Sequence, residues 1–104
     1  MPSVPSLIRH RFRRVAPGAN GLRMPSGPGV AVLMERAAGV GQEDRVLEVI
    51  ATGTNVHAAA ADLVVGHLKS HPEAEVYAQA AVIPDSADRD RAVRELSALC
   101  GQVA

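Results

Sequence analysis

The residues with the clearest chemical potential form a polar turn at positions 52–55, Thr-Gly-Thr-Asn. The turn follows an apolar, β-branched segment at positions 45–50 and precedes a helical pattern. In doubly wound folds, ligands bind where a strand passes into a helix, because glycine lets the backbone approach and the helix offers free N–H groups. Only Gly53 supplies that glycine here. The turn fits ligand binding, and it also fits an ordinary loop capped by Thr54 or Asn55.

The other side chains with reactive or metal-binding groups indicate structural roles. His67 and His71 are four residues apart and could chelate a metal ion if one helix carried both. Pro72 ends the helical pattern there, which favours solvent-facing histidines instead. Cys100 has apolar neighbours, so we expect it to pack rather than react. No metal site is predicted.

Composition limits the class of protein. The 104 residues fit one small domain, and 47% of them are hydrophobic, mostly Ala and Val. Eleven basic residues balance eleven acidic ones, which removes any global charge argument for a nucleic-acid or membrane partner. No apolar run approaches the roughly 20 residues that span a bilayer. We therefore expect a soluble, cytoplasmic protein that binds neither nucleic acid nor membrane.

The chain divides into two predicted parts. Residues 1–29 are basic and rich in Pro and Gly, and they predict a helix from Ser6 to about Val15 followed by a loop. Residues 30–104 carry the ordered core. An arginine-rich, acid-free beginning is also compatible with a targeting peptide or a phosphate-binding arm, but a peripheral basic segment fits its prolines better.

Within residues 30–104 the patterns predict helix, strand, helix, strand, helix. The predicted helices begin near Val30, Val56 and Ser86, and the predicted strands occupy positions 45–50 and 75–82. A strand, a helix and a second strand imply a parallel pair with a right-handed helical crossover.

The order of these segments resembles the N-terminal part of the protein-L-isoaspartate O-methyltransferases. Short stretches match family motifs in the same order: residues 9–12 resemble "PRHxF", 26–28 the end of "GxxxSQP", 44–49 "DRVLEIG", 52–54 "GTGTGY", and 76–99 "VYxVERIPxLAxxAxxxL". The likeness covers most of residues 7–103. It implies an α/β fold with a truncated Rossmann-like, class I methyltransferase-like core, in which two parallel strands accompany N-terminal and crossover helices.

The resemblance also implies a chemistry, methyl transfer from S-adenosylmethionine to an isoaspartyl carboxylate of a protein or peptide. The cofactor supplies the reactive carbon, and the carboxylate is already the nucleophile at neutral pH. By resemblance, Ser26 is the catalytic residue that contacts the substrate carboxyl. Glu48 is expected near the amino-acid end of the cofactor. The cofactor-binding turn by resemblance comprises Thr52, Gly53, Thr54 and Asn55.

Each of these roles has a structural alternative. Ser26 also fits a loop serine that caps the helix predicted from about Pro28. Glu48 also fits a partly exposed acid at the end of a strand.

Departures from the family pattern support a different class of function. Ile50 and Ala51 stand where the family has a glycine, and Ala80 or Ala81 replaces the acid that binds the ribose hydroxyls. Two strands alone leave exposed sheet edges, which predicts self-association or a partner chain covering them. The alternative to a methyltransferase is therefore a non-catalytic protein-interaction module, or a gene remnant, built on an eroded half-domain.

Overall fold

A computed structural model describes residues 13–15 and 26–100 of the chain. The elements follow the order β1 (Arg13–Val15), β2 (Gly29–Glu35), β3 (Arg45–Thr52), α1 (Val56–Ser70), β4 (Val76–Val82) and α2 (Ser86–Ser97). The last four confirm predicted segments, and β2 stands where a helix was predicted. Within the described ranges, no helix has the length and apolar character needed to cross a membrane.

The strands form one sheet in the order β1-β4-β2-β3, and every neighbouring pair is antiparallel. Because β3 and β4 are both antiparallel to β2, they run in the same direction without touching. The predicted hydrogen-bonded parallel pair is therefore wrong. Helix α1 does connect the two strands, but β2 lies between them. The small α/β fold is thus an antiparallel sheet with two helices, and the truncated Rossmann-like, methyltransferase-like core was an incorrect expectation.

The central strand β2 explains this error. Its apolar residues fit helical spacing, but a continuous apolar run fits a strand buried on both faces equally well. In the structure Val30, Val32 and Met34 pack on one face of the sheet, whereas Ala31 and Leu33 pack on the other. All five side chains are buried. A surface helix would bury only one stripe of this run, so burial on both faces favours the strand.

Strand β3 forms one edge of the sheet and contains a bulge. The pairing register shifts in the middle of β2, which leaves Leu47 as the extra residue of β3. As a result, Val46 and Val49 share the face that packs on α2, and Leu47 and Ile50 share the opposite face. The nearly continuous apolar sequence of β3 therefore belongs to an antiparallel edge strand with a bulge, and not to a strand of the predicted parallel pair.

The two helices cover opposite faces of the sheet. Helix α1 buries Val56, Ala60 and Val64 and lies mainly over β4 and β2. Helix α2 buries Ala92 and Leu96 and lies over β3 and β2. The result is three layers with the sheet in the middle, and its core consists almost entirely of small aliphatic side chains, as the composition predicts.

Strand β1 corrects the prediction for the N-terminal segment. Residues Arg13–Val15 pair antiparallel with β4, so the predicted helix is wrong at these three positions. The rest of that helix, most of the predicted loop and residues 101–104 lie outside the described residues. Residues 26–28 form the loop that leads into β2.

Candidate functional site

One end of the sheet brings together the loop of Ser26 and the polar turn at 52–55. In the pairing register, Gly29 at the start of β2 lies opposite Thr52 of β3 on one side and Val82 of β4 on the other. The backbone N–H of Val56 donates a 2.9 Å hydrogen bond to the Gly27 carbonyl. The sequence-predicted catalytic serine therefore lies beside the first turn of α1, next to the predicted cofactor turn.

The polar groups of this turn bind each other and the start of α1. The Asn55 side chain accepts a 3.0 Å hydrogen bond from the Ala58 N–H and caps the helix. The Thr54 N–H donates to Thr52 Oγ1 at 3.3 Å, and the guanidinium of Arg89 donates to the Thr52 carbonyl at 2.8 Å. The alternative of an ordinary capped loop is thus confirmed for Asn55. Ser26, Gly53, Thr54 and Asn55 are all exposed.

Glu48 does not join this group. It lies opposite Leu33, near the middle of β3, and Thr52 is four positions further along the strand. Extended chain rises about 3.3 Å per residue, so the backbone of Glu48 is roughly 13 Å from the turn. Its charge acts instead on Cys100: burial raises the pKa of the Cys100 thiol, and Glu48 raises it further. Cys100 is half-buried and packs against the α2 side of the core, as the sequence predicts.

The space in which a Rossmann-like protein holds its cofactor is filled here by β2. Such a cofactor lies in a crevice at the carboxyl ends of neighbouring parallel strands. The carboxyl ends of β3 and β4 do point to the same end of the sheet, but Gly29 passes between them. It passes so closely that a Cβ atom at this position would lie 1.9 Å from the Ala81 carbonyl oxygen. In the described sheet, β3 and β4 are therefore not neighbouring parallel strands, the arrangement on which such a crevice depends.

The opposite end of the sheet carries a polar cluster that the sequence reasoning missed. The hydroxyl of Tyr77, in β4, donates a 2.5 Å hydrogen bond to Asp44 Oδ2. The other carboxylate oxygen of Asp44 accepts from the Ala37 N–H at 2.8 Å. The guanidinium of Arg36 lies 5.3 Å from the centre of the Tyr77 ring. A buried tyrosine needs a partner for its hydroxyl, and this requirement was the available signal.

Next to this cluster lies an open cleft of about 560 Å³. Its lining is mostly charged: Glu35, Arg36, Ala37, Ala38, Gln42, Glu43, Arg45, Glu73, Ala74 and Glu75. Glu35 and Arg45 form an ion pair at 2.7 Å, with about two-fifths of each side chain exposed. The charges of the cleft are thus engaged at least partly with each other, and the arrangement favours a structural role.

The histidine pair at the carboxyl end of α1, with one member in the last turn and the other at the C-cap, does lie together. The rings of His67 and His71 are stacked, with centroids 4.5 Å apart and planes 15° from parallel. Within residues 13–15 and 26–100, no group of three His, Cys, Asp or Glu side chains is arranged to hold a metal ion. Metal ligation by this pair alone would need rotation of the rings, because stacked rings do not direct two nitrogen lone pairs at one point.

The remaining feature with binding potential is the outer side of β3, called here the β3 edge and comprising residues 48–52. β3 pairs with β2 on its inner side, and on its outer side it meets no strand in the part of the chain that the structure describes. Val49 and Ile50 are half-buried and Ala51 is exposed. This edge combines unpaired backbone groups with incompletely covered apolar side chains. No family model, no curated protein and no solved structure matches this chain.

Proposed function

We propose that the chain is a non-catalytic protein-interaction module that binds a strand of its partner along the β3 edge. The observation that supports the proposal is the place of β3 at the margin of the sheet. The outward N–H and C=O groups of an edge strand form a ready template for a further strand. Natural sheets usually cover or blunt such an edge, and here no described element covers it.

The side chains of β3 fit this role. Leu47, Val49 and Ile50 are only half-buried although all three are large and apolar. Val49 faces α2 and Ile50 faces the opposite side, so both faces of the sheet would gain buried area from an added strand. Burial of apolar surface contributes about 25 cal/mol per Å², and this gain would add to the backbone hydrogen bonds.

The opposite margin of the sheet fits less well. β1 has three residues, Arg13–Val15, whereas β3 has eight. A strand of three residues offers few backbone groups to a partner. We therefore assign the binding edge to β3.

Carboxyl methylation with S-adenosylmethionine stays a prediction from the resemblance. The polar end of the sheet favours it less, because Asn55 caps α1 and β2 fills the space between β3 and β4. Calorimetric titration with S-adenosylhomocysteine discriminates between the two functions. Micromolar binding that Gly53→Arg abolishes would contradict a purely non-catalytic role, and the absence of heat from folded protein at millimolar ligand agrees with it.

The direct test places a photoreactive benzoylphenylalanine at Ala51 of the β3 edge, in cells that produce the full chain. The matched control places the same group at Asp62, which is exposed on α1. We expect a discrete cross-linked product from position 51 and none from position 62. The partner, identified by mass and purified, should slow hydrogen exchange in peptides from β3 but not from α1. Equal labelling at both positions, or unchanged exchange in β3, would overturn the proposal.

A further inference from the structure

We infer that the partner at the β3 edge is a second copy of this chain, paired antiparallel about a two-fold axis through Ile50. This inference rests on the proposed function and names its partner. The resulting dimer would have one continuous sheet across both copies.

Symmetry restricts the register. Two antiparallel copies in one continuous sheet are related by a two-fold axis perpendicular to that sheet, which leaves each side chain on its original face. Residues directly opposite each other in a ladder must share a face, and faces alternate along a strand. The axis must therefore pass through a residue that pairs with itself, and only registers centred on one residue of β3 are allowed.

The bulge removes one end of β3 from the pairing. Leu47 is the extra residue at the bulge, and a bulge kinks the strand and interrupts regular pairing. Residues 48–52 pair with β2 without interruption and remain as a regular outer ladder. The possible centres are then Glu48, Val49, Ile50, Ala51 and Thr52.

Side-chain chemistry selects among these centres. A centre at Glu48 places two like charges opposite each other, which is destabilising. A centre at Val49 places the Glu48 carboxylate against Ile50, so a charge would be desolvated on an apolar side chain. A centre at Ala51 places Val49 opposite Gly53, and a centre at Thr52 places Ala51 opposite Gly53, which lies beyond the end of the strand.

In the register centred on Ile50, every pair of opposing side chains is chemically compatible. Ile50 meets its own copy, and Val49 meets Ala51 on the opposite face, so both contacts are apolar. Glu48 meets Thr52, whose Oγ1 accepts from the Thr54 N–H and whose own O–H can donate. Charge and polarity of β3 are therefore complementary to those of a second β3 in this register.

The position of α1 gives independent support. Helix α1 lies mainly over β4 and β2 and contacts β3 less extensively. Ile50 points to this face and belongs to the half-buried margin of the core cluster there. Pairing about Ile50 would place the two isoleucine side chains against each other between the two α1 helices, where the described residues cover the sheet only partly.

Cysteine cross-linking tests the register in the full chain. Cys100→Ser removes the native thiol, and single cysteines are then introduced as Val49→Cys, Ile50→Cys and Ala51→Cys. In the proposed dimer, opposing Cα atoms at position 50 are about 4.5–5.5 Å apart, within the range of a disulfide. Diagonal Cα atoms at position 49 or 51 are roughly 8 Å apart, which is too far.

We expect Ile50→Cys to form a disulfide-linked dimer under mild oxidation about ten-fold faster than either neighbour, at a rate that rises with protein concentration. Equal rates at all three positions, or a faster rate at 49 or 51, would overturn the register. If Ile50→Cys loses its native circular dichroism, light scattering of the chain without that substitution measures the dimer dissociation constant instead. Ala51→Asp should raise the dimer dissociation constant about ten-fold, because each carboxylate would face Val49 of the other copy.

Two controls accompany that measurement. Ala51→Val should leave dimerisation equal or stronger, and Ala87→Asp, an exposed change on α2, should not alter it. A monomer at all concentrations would overturn the inference. If position 51 then cross-links to a different protein, the proposed function stands. If position 51 cross-links to nothing, both the dimer and the proposed function are wrong.

Discussion

The phenol of Tyr77 donates a 2.5 Å hydrogen bond to Asp44, a residue 33 positions earlier in the chain. Tyr77 belongs to β4 and Asp44 immediately precedes β3, so the bond joins the two strands that β2 separates. The same carboxylate binds the Ala37 N–H just after β2. Asp44 thus fixes the connection between β2 and β3 to the far side of the sheet.

Tyr77→Phe removes this donor and leaves the ring in place. We expect the free energy of unfolding to fall by about 1–3 kcal/mol, because the half-buried Asp44 carboxylate loses a hydrogen bond. Urea unfolding of both proteins measures the difference. The control is Arg36→Ala, which removes only an exposed cation–π contact worth about 0.5–1 kcal/mol. A smaller loss for Tyr77→Phe than for this control would contradict the assignment.

Gly29→Ala tests whether β2 lies between β3 and β4. An added Cβ would lie 1.9 Å from the Ala81 carbonyl oxygen, so β2 or β4 would have to move. We expect a loss of about 3 kcal/mol or failure to fold. Gly53→Ala is the matched control, since its Cβ would meet nothing within 4 Å. Equal stability of the two variants would be incompatible with this sheet order.

Asn55→Ala tests the role of the polar turn. Loss of the cap on α1 should lower the free energy of unfolding by about 1 kcal/mol. The control variant Asn55→Asp keeps the acceptor oxygen and should retain most of the wild-type stability. Thermal or urea unfolding provides the readout. If Asn55→Ala leaves stability unchanged, the cap contributes nothing and the residue is free for another role.

The thiol of Cys100 should react slowly, because burial and then the charge of Glu48 raise its pKa and reduce the thiolate fraction. The rate with a disulfide reagent at pH 8 should be lower than in unfolded protein. Glu48→Gln should raise this rate several-fold without abolishing the protection, since burial is the larger cause. Glu73→Gln, an exposed acid between α1 and β4 that is not a cause of this shift, serves as the control. Reaction of the native chain at the unfolded rate would refute the assignment.

The same shift fixes the sign of a pH effect on stability. The folded state holds the thiol proton more tightly than the unfolded state does. This contribution is fully present below about pH 8.5 and declines as the pH rises towards the folded pKa. Cys100→Ser should therefore flatten the alkaline limb of the stability profile.

Local signals were sufficient for four elements of the fold. Asn55 and Pro72 bracket α1, and a short run of β-branched and other apolar residues marks β3. Local signals were insufficient for β2, because the apolar residues of a strand buried on both faces show neither the helical nor the strand period. A helix predicted from Val30 leaves β3 and β4 as the only strands predicted in residues 30–104, and a strand–helix–strand unit then implies a parallel pair. The wrong topology followed from that one element.

The candidate site was predictable only where it depends on chain neighbours. The turn at 52–55 and its proximity to α1 followed from sequence order. The position of Glu48 away from this turn did not follow from sequence order, because its distance from Thr52 depends on β3 remaining extended across the sheet. The hydrogen bond between Asp44 and Tyr77 was not predictable either. It reaches from just before β3 across β2 to β4, and no local sequence pattern specifies how these three strands are aligned.

The place of β2 in the middle of the sheet also sets an order of assembly during synthesis. β2 and β3 can close a hairpin as soon as both have left the ribosome. The other side of β2 must wait until α1 and β4 have been made, which takes seconds at about 5–20 residues per second. During that interval the most apolar strand of the chain has one open side and two uncovered faces. This nascent hairpin is therefore the stage of synthesis at which the chain exposes its most apolar strand to solvent.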